Sequence, residues 1–371
     1  MKFTVSRSIM LDALQIMGSV IPSKSVRPIA CNMHMVVNAD GMVTLSGTDF
    51  EVAMSYRLAV ASVAEPGEAV VNASRATSIL REANDGDIEF ETNESGKLEL
   101  RCGRSCFNLL TEKPDEFPER PHHDSQNEFA LNQKQFVSLI RSVLFAVARD
   151  KTRFAFNGAR LIIEGSDAVM VATDGKRLAL KREAIDNSDD VHAAAIIPGR
   201  ALGVFERTLV DDEMVRLTIS DRDVTMKTTR AVMSARLCEG VFPEHETVIP
   251  KDNSRVIEFD RVALQTAFRQ AALLTSKETR SVHMTLSPEG ATLRAKALDA
   301  GEAEIFVDCD GFTGEAMTVS YNPDYIADVL GVVQTDRVQF KLSQSNVPAL
   351  LESTEDDGFL YVLMPVTQRH V

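Results

Sequence analysis

No apolar run in the 371 residues reaches the roughly 18 that a membrane-spanning helix needs. The opening Met-Lys-Phe-Thr-Val lacks the apolar core and cleavage site of a secretion signal, so a cytosolic protein is expected. Cysteines number five, an odd and scattered set, which argues against a disulfide framework and for reduced thiols. Cys102 and Cys106 are the one near pair; without a second pair or a suitably spaced histidine, zinc is disfavoured. The seven histidines (His34, His122, His123, His192, His245, His283, His370) show no metal-ligand spacing. GxSxG, HExxH and Walker motifs are all missing. Nothing assembles an active site, and neither catalysis, a metal nor a cofactor is expected.

What the sequence does have is a repeat. Residues 129–143, FALNQKQFVSLIRSV, have counterparts at 3–17, FTVSRSIMLDALQIM, and at 257–271, IEFDRVALQTAFRQA. Each opens with alternating apolar residues, the mark of a strand with one buried face. A capping residue follows, Ser6, Asn132 or Asp260, whose oxygen can accept from a free helix N–H. The residue before the cap (Val5, Leu131, Phe259) and the fourth after it (Met10, Phe136, Leu264) can form a hydrophobic staple. The helical face continues as Ala13/Leu14/Met17, Leu139/Ile140/Val143 and Ala267/Phe268/Ala271. The copies start 126 and 128 residues apart, which argues for three copies of one domain. Hydrophobic content of 44% and charged content of 25% suit globular domains.

Within each copy the pattern reads strand, helix, strands, helix, strands: an α+β unit with two helices on one face of an antiparallel sheet. In the first copy, strands are expected near 33–37, 43–46, 51–60, 69–71, 88–92, 97–101 and 106–110, with a helix at 75–82. The second is expected to have strands near 161–164, 168–172, 177–182, 194–197, 216–219, 224–228 and 231–237, with a helix at 199–208. The third is expected to have strands near 281–286, 291–297, 302–308, 318–320, 338–342 and 359–364. Its helix at 324–332 follows Asn322-Pro323, a cap with proline at the first helical position. Polar stretches at 121–126 and 250–254 read as linkers, which divides the chain at 1–122, 127–250 and 254–371.

The net charge of −14 argues at first against nucleic acid. Its distribution says more. Acids gather at 82–94, 183–190, 299–315 and 352–357. The helices are basic: Lys134, Arg141, Arg149 and Lys151 in the middle copy, Arg261, Arg269, Lys277 and Arg280 in the third. Solvated helix faces explain this as well as sequence-independent binding to a duplex backbone does. The most distinctive stretch is 171–179, Val-Ala-Thr-Asp-Gly-Lys-Arg-Leu-Ala. Its Thr173-Asp174 recurs as Thr48-Asp49, which favours a structural turn with Asp binding backbone N–H groups. The catalytic alternative would use Asp174, Lys176 and Arg177 in an interdomain cleft.

Several pieces resemble the bacterial β sliding clamp family, the DNA polymerase III β subunits. They are Met1 to Val5, Arg27-Pro-Ile29, Leu45 to Glu51, Gly103-Arg-Ser105, Phe117-Pro118, the 171–179 stretch, Glu239 to Pro243 and Tyr361 to Pro365, in the family's order over essentially the whole chain. The resemblance implies a head-to-tail homodimer: a ring of six similar domains that encircles duplex DNA without sequence preference. Such a clamp is not an enzyme; it tethers the polymerase III α subunit, other polymerases and repair proteins, and an ATP-driven clamp loader opens it. A bacterial cytoplasmic, nucleoid-associated location follows. The competing reading is a monomeric peptide-binding scaffold that does not encircle DNA.

The resemblance also implies residue roles. DNA contact would fall on Lys24, Arg149, Phe154 and Arg200. A pocket for a short peptide containing Gln and Leu/Phe would use Phe156, Thr173, Gly175, Lys176, Arg177, Leu178, Pro243 and Val248. Asn322, Tyr325, Val347, Val362, Met364, Pro365 and Val366 would complete it. The dimer seam would join Arg75, Ile79, Phe107 and Leu109 to Leu273, Leu274, Glu302 and Glu304, with strands near 104–110 and 302–308 pairing edge to edge. The sequence departs from the family at Phe154-Ala155, Thr247-Val248, Thr279 and the tail 367–371.

Overall fold

The computed structural model describes residues 1–93, 95–119, 128–149, 154–186, 191–209, 213–251, 253–276, 280–356 and 358–366. The linker at 121–126 with His122 and His123, together with Lys151, Lys277, Thr279 and the tail, lies outside them. Among the described residues six α-helices accompany four antiparallel sheets: α1 (Arg7–Met17), α2 (Ala73–Glu82), α3 (Gln133–Val143), α4 (Gly199–Glu206), α5 (Arg261–Ala272) and α6 (Pro323–Val332). The chain is therefore α+β, with two helices to each repeat.

The repeats share their sheets. A five-stranded sheet runs Ser62–Glu65, Lys2–Ser6, Asp87–Thr92, Leu98–Cys102, Ser105–Leu109. A nine-stranded sheet takes Thr111–Glu112, Gly67–Asn72, Asn32–Val37, Met42–Thr48 and Val52–Ala59 from the first repeat. It continues through Ala231–Arg236, Asp223–Lys227, Met214–Ile219 and Glu128–Asn132 of the second. An eight-stranded sheet does the same for the second and third repeats: Ala193–Pro198, Gly158–Glu164, Asp167–Thr173, Arg177–Ala184, then Phe359–Leu363, Ala349–Ser353, Arg337–Leu342, Arg255–Asp260. The last sheet is Gly301–Val307, Gly290–Ala297, Val282–Ser287, Met317–Tyr321. Compactness follows the sheets. One unit holds 1–136, 187–191 and 200–237; the other holds 137–186, 192–199 and 238–371. Three strands carried too weak a pattern to be expected: Ser62–Glu65 and Thr111–Glu112 are short and mostly exposed, and Ala349–Ser353 follows a Pro348 that reads as a breaker.

The helical faces are buried as the periodicity requires. Met10, Leu14 and Met17, then Phe136, Leu139, Ile140 and Val143, then Leu264, Phe268 and Ala271 are each 0–1% exposed. Phe136 meets Phe205 of α4 edge-on at 6.4 Å.

The helix starts correct one expectation. Asp260 accepts from the Ala263 N–H at 2.7 Å and Asn132 from the Lys134 N–H at 2.8 Å, but Ser6 caps nothing. Its hydroxyl lies 3.0 Å from that of Ser8. That hydroxyl partner takes the place of the cap, and the helix start is still held by a second device present in all three copies. The first helical N–H donates to a main-chain carbonyl just before a neighbouring strand: Arg7 to Gly86, Gln133 to Glu213 and Arg261 to Asp336, each at 2.9 Å. The side chain at that position then crosses to the second helix in two copies. Arg7 donates to the Leu80 and Arg81 carbonyls at 2.7 and 2.9 Å, and Arg261 to Leu330 at 3.2 Å. Each guanidinium thus satisfies carbonyls that the helix end leaves open and offsets its negative pole. Arg261 is therefore spent on the fold, and so is Arg280, which pairs with Asp324 at 2.6 Å. The basic character of the helices overstates the charge available to a ligand.

Candidate peptide groove and its polar counterpart

The Thr-Asp turns are built alike. Thr173 Oγ1 donates to the Arg177 carbonyl at 2.6 Å and accepts from the Gly175 N–H at 3.0 Å. Asp174 Oδ1 accepts from Lys176 N–H at 2.9 Å and Arg177 N–H at 3.1 Å. Thr48 and Asp49 make the same four bonds around Val52, Phe50 and Glu51. Both turns need left-handed backbone at their third residue: Gly175 has φ 85°, and Phe50 adopts φ 73° with Arg27 stacked 4.5 Å from its ring. Asp174 is thus a turn residue, with its second oxygen held by Arg177 Nε at 3.1 Å.

From each turn a strand leads into a seam between repeats. Leu178 faces Val362 across the second seam, and Leu350 faces Val362 from the other side. At the first seam Ala53 faces Ser234, and Thr225 faces it from the other side. Val171 lies opposite Leu180; its counterpart Ser46 lies opposite Ser55, and their hydroxyls bond at 2.9 Å. One register therefore produces two different surfaces. In the second unit Val169, Val171, Leu178, Ile196, Phe242, Leu350 and Val362 form one apolar cluster, flanked by Ala155, Cys238 and Ile249. In the first unit the matching face is lined with hydroxyls.

The other residues expected in the pocket differ in exposure. Thr173 and Arg177 are buried; Phe156, Pro243, Asn322, Tyr325, Val347, Pro365 and Val366 are half-buried; Gly175, Lys176, Val248 and Met364 are exposed. The Met364 N–H donates to the Lys176 carbonyl at 2.9 Å, and Val366 N–H to Ser320 at 2.8 Å. Tyr361 donates its hydroxyl to the Tyr325 carbonyl at 3.1 Å, and burial pushes its phenol above the usual range. The Thr173 hydroxyl proton is taken by the Arg177 carbonyl, and Asn322 Oδ1 caps α6 through the Asp324 N–H at 2.9 Å. Sequence reasoning missed Val169, Val171, Ile196, Phe242 and Leu350. Val169, Val171 and Ile196 were legible only as apolar positions of expected strands, Leu350 lies on a strand that was not expected, and Phe242 lies in no strand; strand pairing and the packing around it bring them together with Leu178 and Val362.

Three family models match in succession: the DNA polymerase III beta subunit N-terminal domain at 1–121, the central domain at 130–244 and the C-terminal domain at 246–367. The chain belongs to the β sliding clamp family. It is 31% identical to the beta sliding clamp of Pseudomonas putida and 30% to that of Escherichia coli K12, across 99% of its own length and 100% of theirs. The crystal structure of the DNA polymerase III subunit beta from Pseudomonas aeruginosa superposes with a TM-score of 0.90 at 30% identity, over 99% of this chain and 100% of that one. A Bacillus subtilis sliding clamp shares the fold, with a TM-score of 0.91 at 24% identity over 100% of both chains. This clamp is accordingly a non-catalytic processivity subunit of DNA polymerase III.

The remaining assigned positions are on the surface. Lys24, Arg149, Phe154 and Arg200 are exposed. Arg200 pairs with Asp49, the first seam's turn residue. Among seam candidates, Ser105–Leu109 is exposed along nearly its whole length and carries Phe107; Leu109 is half-buried. Arg75 is exposed, Ile79 borders a hollow of about 320 Å³ with Phe107, and Leu273 is 79% exposed beside half-buried Leu274. Glu302 and Glu304 are exposed on Gly301–Val307, where Arg294 already pairs with Glu304 at 3.0 Å. Cys102 and Cys106 sit on adjacent strands, and among the described residues no His/Cys/Asp/Glu group is arranged to hold a metal.

Proposed function

We propose that two copies of this clamp join head to tail into a ring around duplex DNA, each contributing domains at 1–122, 127–250 and 254–371. The observation that carries the proposal is a pair of open sheet edges. Ser105–Leu109 ends the five-stranded sheet and Gly301–Val307 ends the four-stranded one. Among the described residues neither has a strand partner on its outer side, and both carry exposed aromatics, Phe107 and Phe306. A monomer would ordinarily blunt such edges, since they invite pairing with another chain. Pairing them with each other consumes both and closes the assembly. Ile79, Leu273 and Leu274 then become buried, and Arg75 faces Glu302 and Glu304.

A closed ring holds DNA by topology, so its inner surface need only be weakly attractive. Lys24, Arg149, Phe154 and Arg200 supply that attraction, while the net charge of −14 limits tight phosphate binding that would oppose sliding. The apolar cluster around Leu178 and Val362 docks short peptides of the polymerase III α subunit, the clamp loader and repair proteins, each anchored by one or two apolar side chains. Sedimentation equilibrium from micromolar to nanomolar concentration tests the ring. A mass of twice 40.8 kDa, with retention of the loaded protein on circular but not linear DNA, is expected. A monomer at all concentrations overturns the ring and leaves a peptide-binding scaffold.

A further inference from the structure

The family resemblance counts Arg177 among peptide-binding residues, but its side chain is already occupied. It is 8% exposed. Nε holds Asp174 at 3.1 Å, Nη1 holds Asp328 at 2.7 Å, and Nη2 donates to the Phe145 carbonyl at 2.7 Å. The Tyr325 ring covers its face at 4.4 Å, and the Phe145 ring lies 5.5 Å away. The geometry points to Arg177 as a positioning residue for the peptide groove, not a ligand of the peptide. This rests on the reading of that groove as a peptide site.

Three separate pieces meet at this guanidinium. Asp174 belongs to the turn, Asp328 and Tyr325 to α6, and Phe145 to the short turn that follows α3. The last piece extends the reach of the contact. Ala148 N–H donates to the Phe156 carbonyl at 2.8 Å, which ties the stretch after Phe145 to Phe156, whose neighbour Ala155 packs against the apolar cluster. The rigid fork of a guanidinium holds two oxygens and a carbonyl at fixed angles, whereas an ammonium supplies charge without that geometry. Arg177 therefore sets the distance between α6 and the turn at Phe145, and through Ala148 it bears on Phe156 and Ala155 beside the apolar cluster.

Two variants test this, Arg177→Lys and Asp328→Asn; Asp328 is not itself a groove residue. Two readouts apply to each: affinity for a fluorescent peptide carrying one Gln and a Leu-Phe pair, and amide exchange at Ala148 in the free protein. Arg177→Lys is expected to weaken the peptide about tenfold and to speed Ala148 exchange. Asp328→Asn should move both in the same direction, and the double variant should fall short of the summed effects. The proposal is overturned if Arg177→Lys abolishes peptide binding while Asp328→Asn and the Ala148 amide stay unchanged, because Arg177 then touches the peptide itself. It is equally overturned if the urea midpoint falls while the folded protein keeps full affinity. If the unaltered chain binds no peptide, the groove reading fails on its own, and Ala148 exchange still decides the role of Arg177.

Discussion

The contrast between the two seams can be tested at one residue, Val362. Its counterpart in the first seam is Ser234, and Val362→Thr introduces a hydroxyl while conserving shape. Val362 is 2% exposed, and its register partners are Leu178 and Leu350, neither of which offers a hydrogen bond. No volume is lost, so the cost comes from burying a hydroxyl without a side-chain partner, about 1–3 kcal/mol. In the first seam the same group is tolerated because Ala53 is small and Thr225 is also hydroxylated. Urea unfolding should show the loss in the transition that involves the second unit. Peptide affinity, measured by fluorescence anisotropy well below the unfolding midpoint, should fall about three- to thirtyfold as the groove floor becomes polar. A stability change under about 0.5 kcal/mol together with unchanged affinity would refute the reasoning, since apolarity of this floor would then not separate the two seams.

Other outcomes follow from the same geometry. Gly175→Ala, at φ 85°, should cost about 1–2 kcal/mol in urea unfolding, because a Cβ is disfavoured in left-handed backbone. Arg7→Ala should cost about 1.5–3 kcal/mol in the same assay, since it removes charged hydrogen bonds to the open end of α2. His245, 8% exposed between Phe242 and Val248, has its pKa lowered from 6.5 by burial, with Arg160 and Arg182 adding to the effect and Glu246 opposing it. The unfolded chain therefore takes up this proton first, so its contribution is intact above pH 6.5 and is lost as pH falls towards the folded value. Replacing it, His245→Gln, should flatten that part of the stability profile between pH 7 and 5, measured by urea midpoints; an unchanged slope would rule it out.

The sequence by itself determined the local structure and the repeat. Alternation followed by an i, i+3, i+4, i+7 face places a strand and a helix wherever it occurs, because burial of one face is a short-range property of the chain. Asp260, Asn322 and the Thr-Asp turns were legible for the same reason: their bonds reach only two to four residues along the chain. Ser6 shows the limit, since the carbonyl that relieves its helix comes from Gly86, just before another strand. Tertiary structure alone decided which strands share a sheet, and hence that compactness cuts through the middle repeat. It also decided that Arg261 and Arg280 serve the fold and that Arg177 is already committed. Above all, it brought Phe242, Leu350 and Val171 onto one face with Leu178 and Val362, and Ser46, Ser55 and Ser234 onto the matching face of the other seam. A strand pattern states which side chains alternate; only pairing across well over a hundred residues states which of them meet.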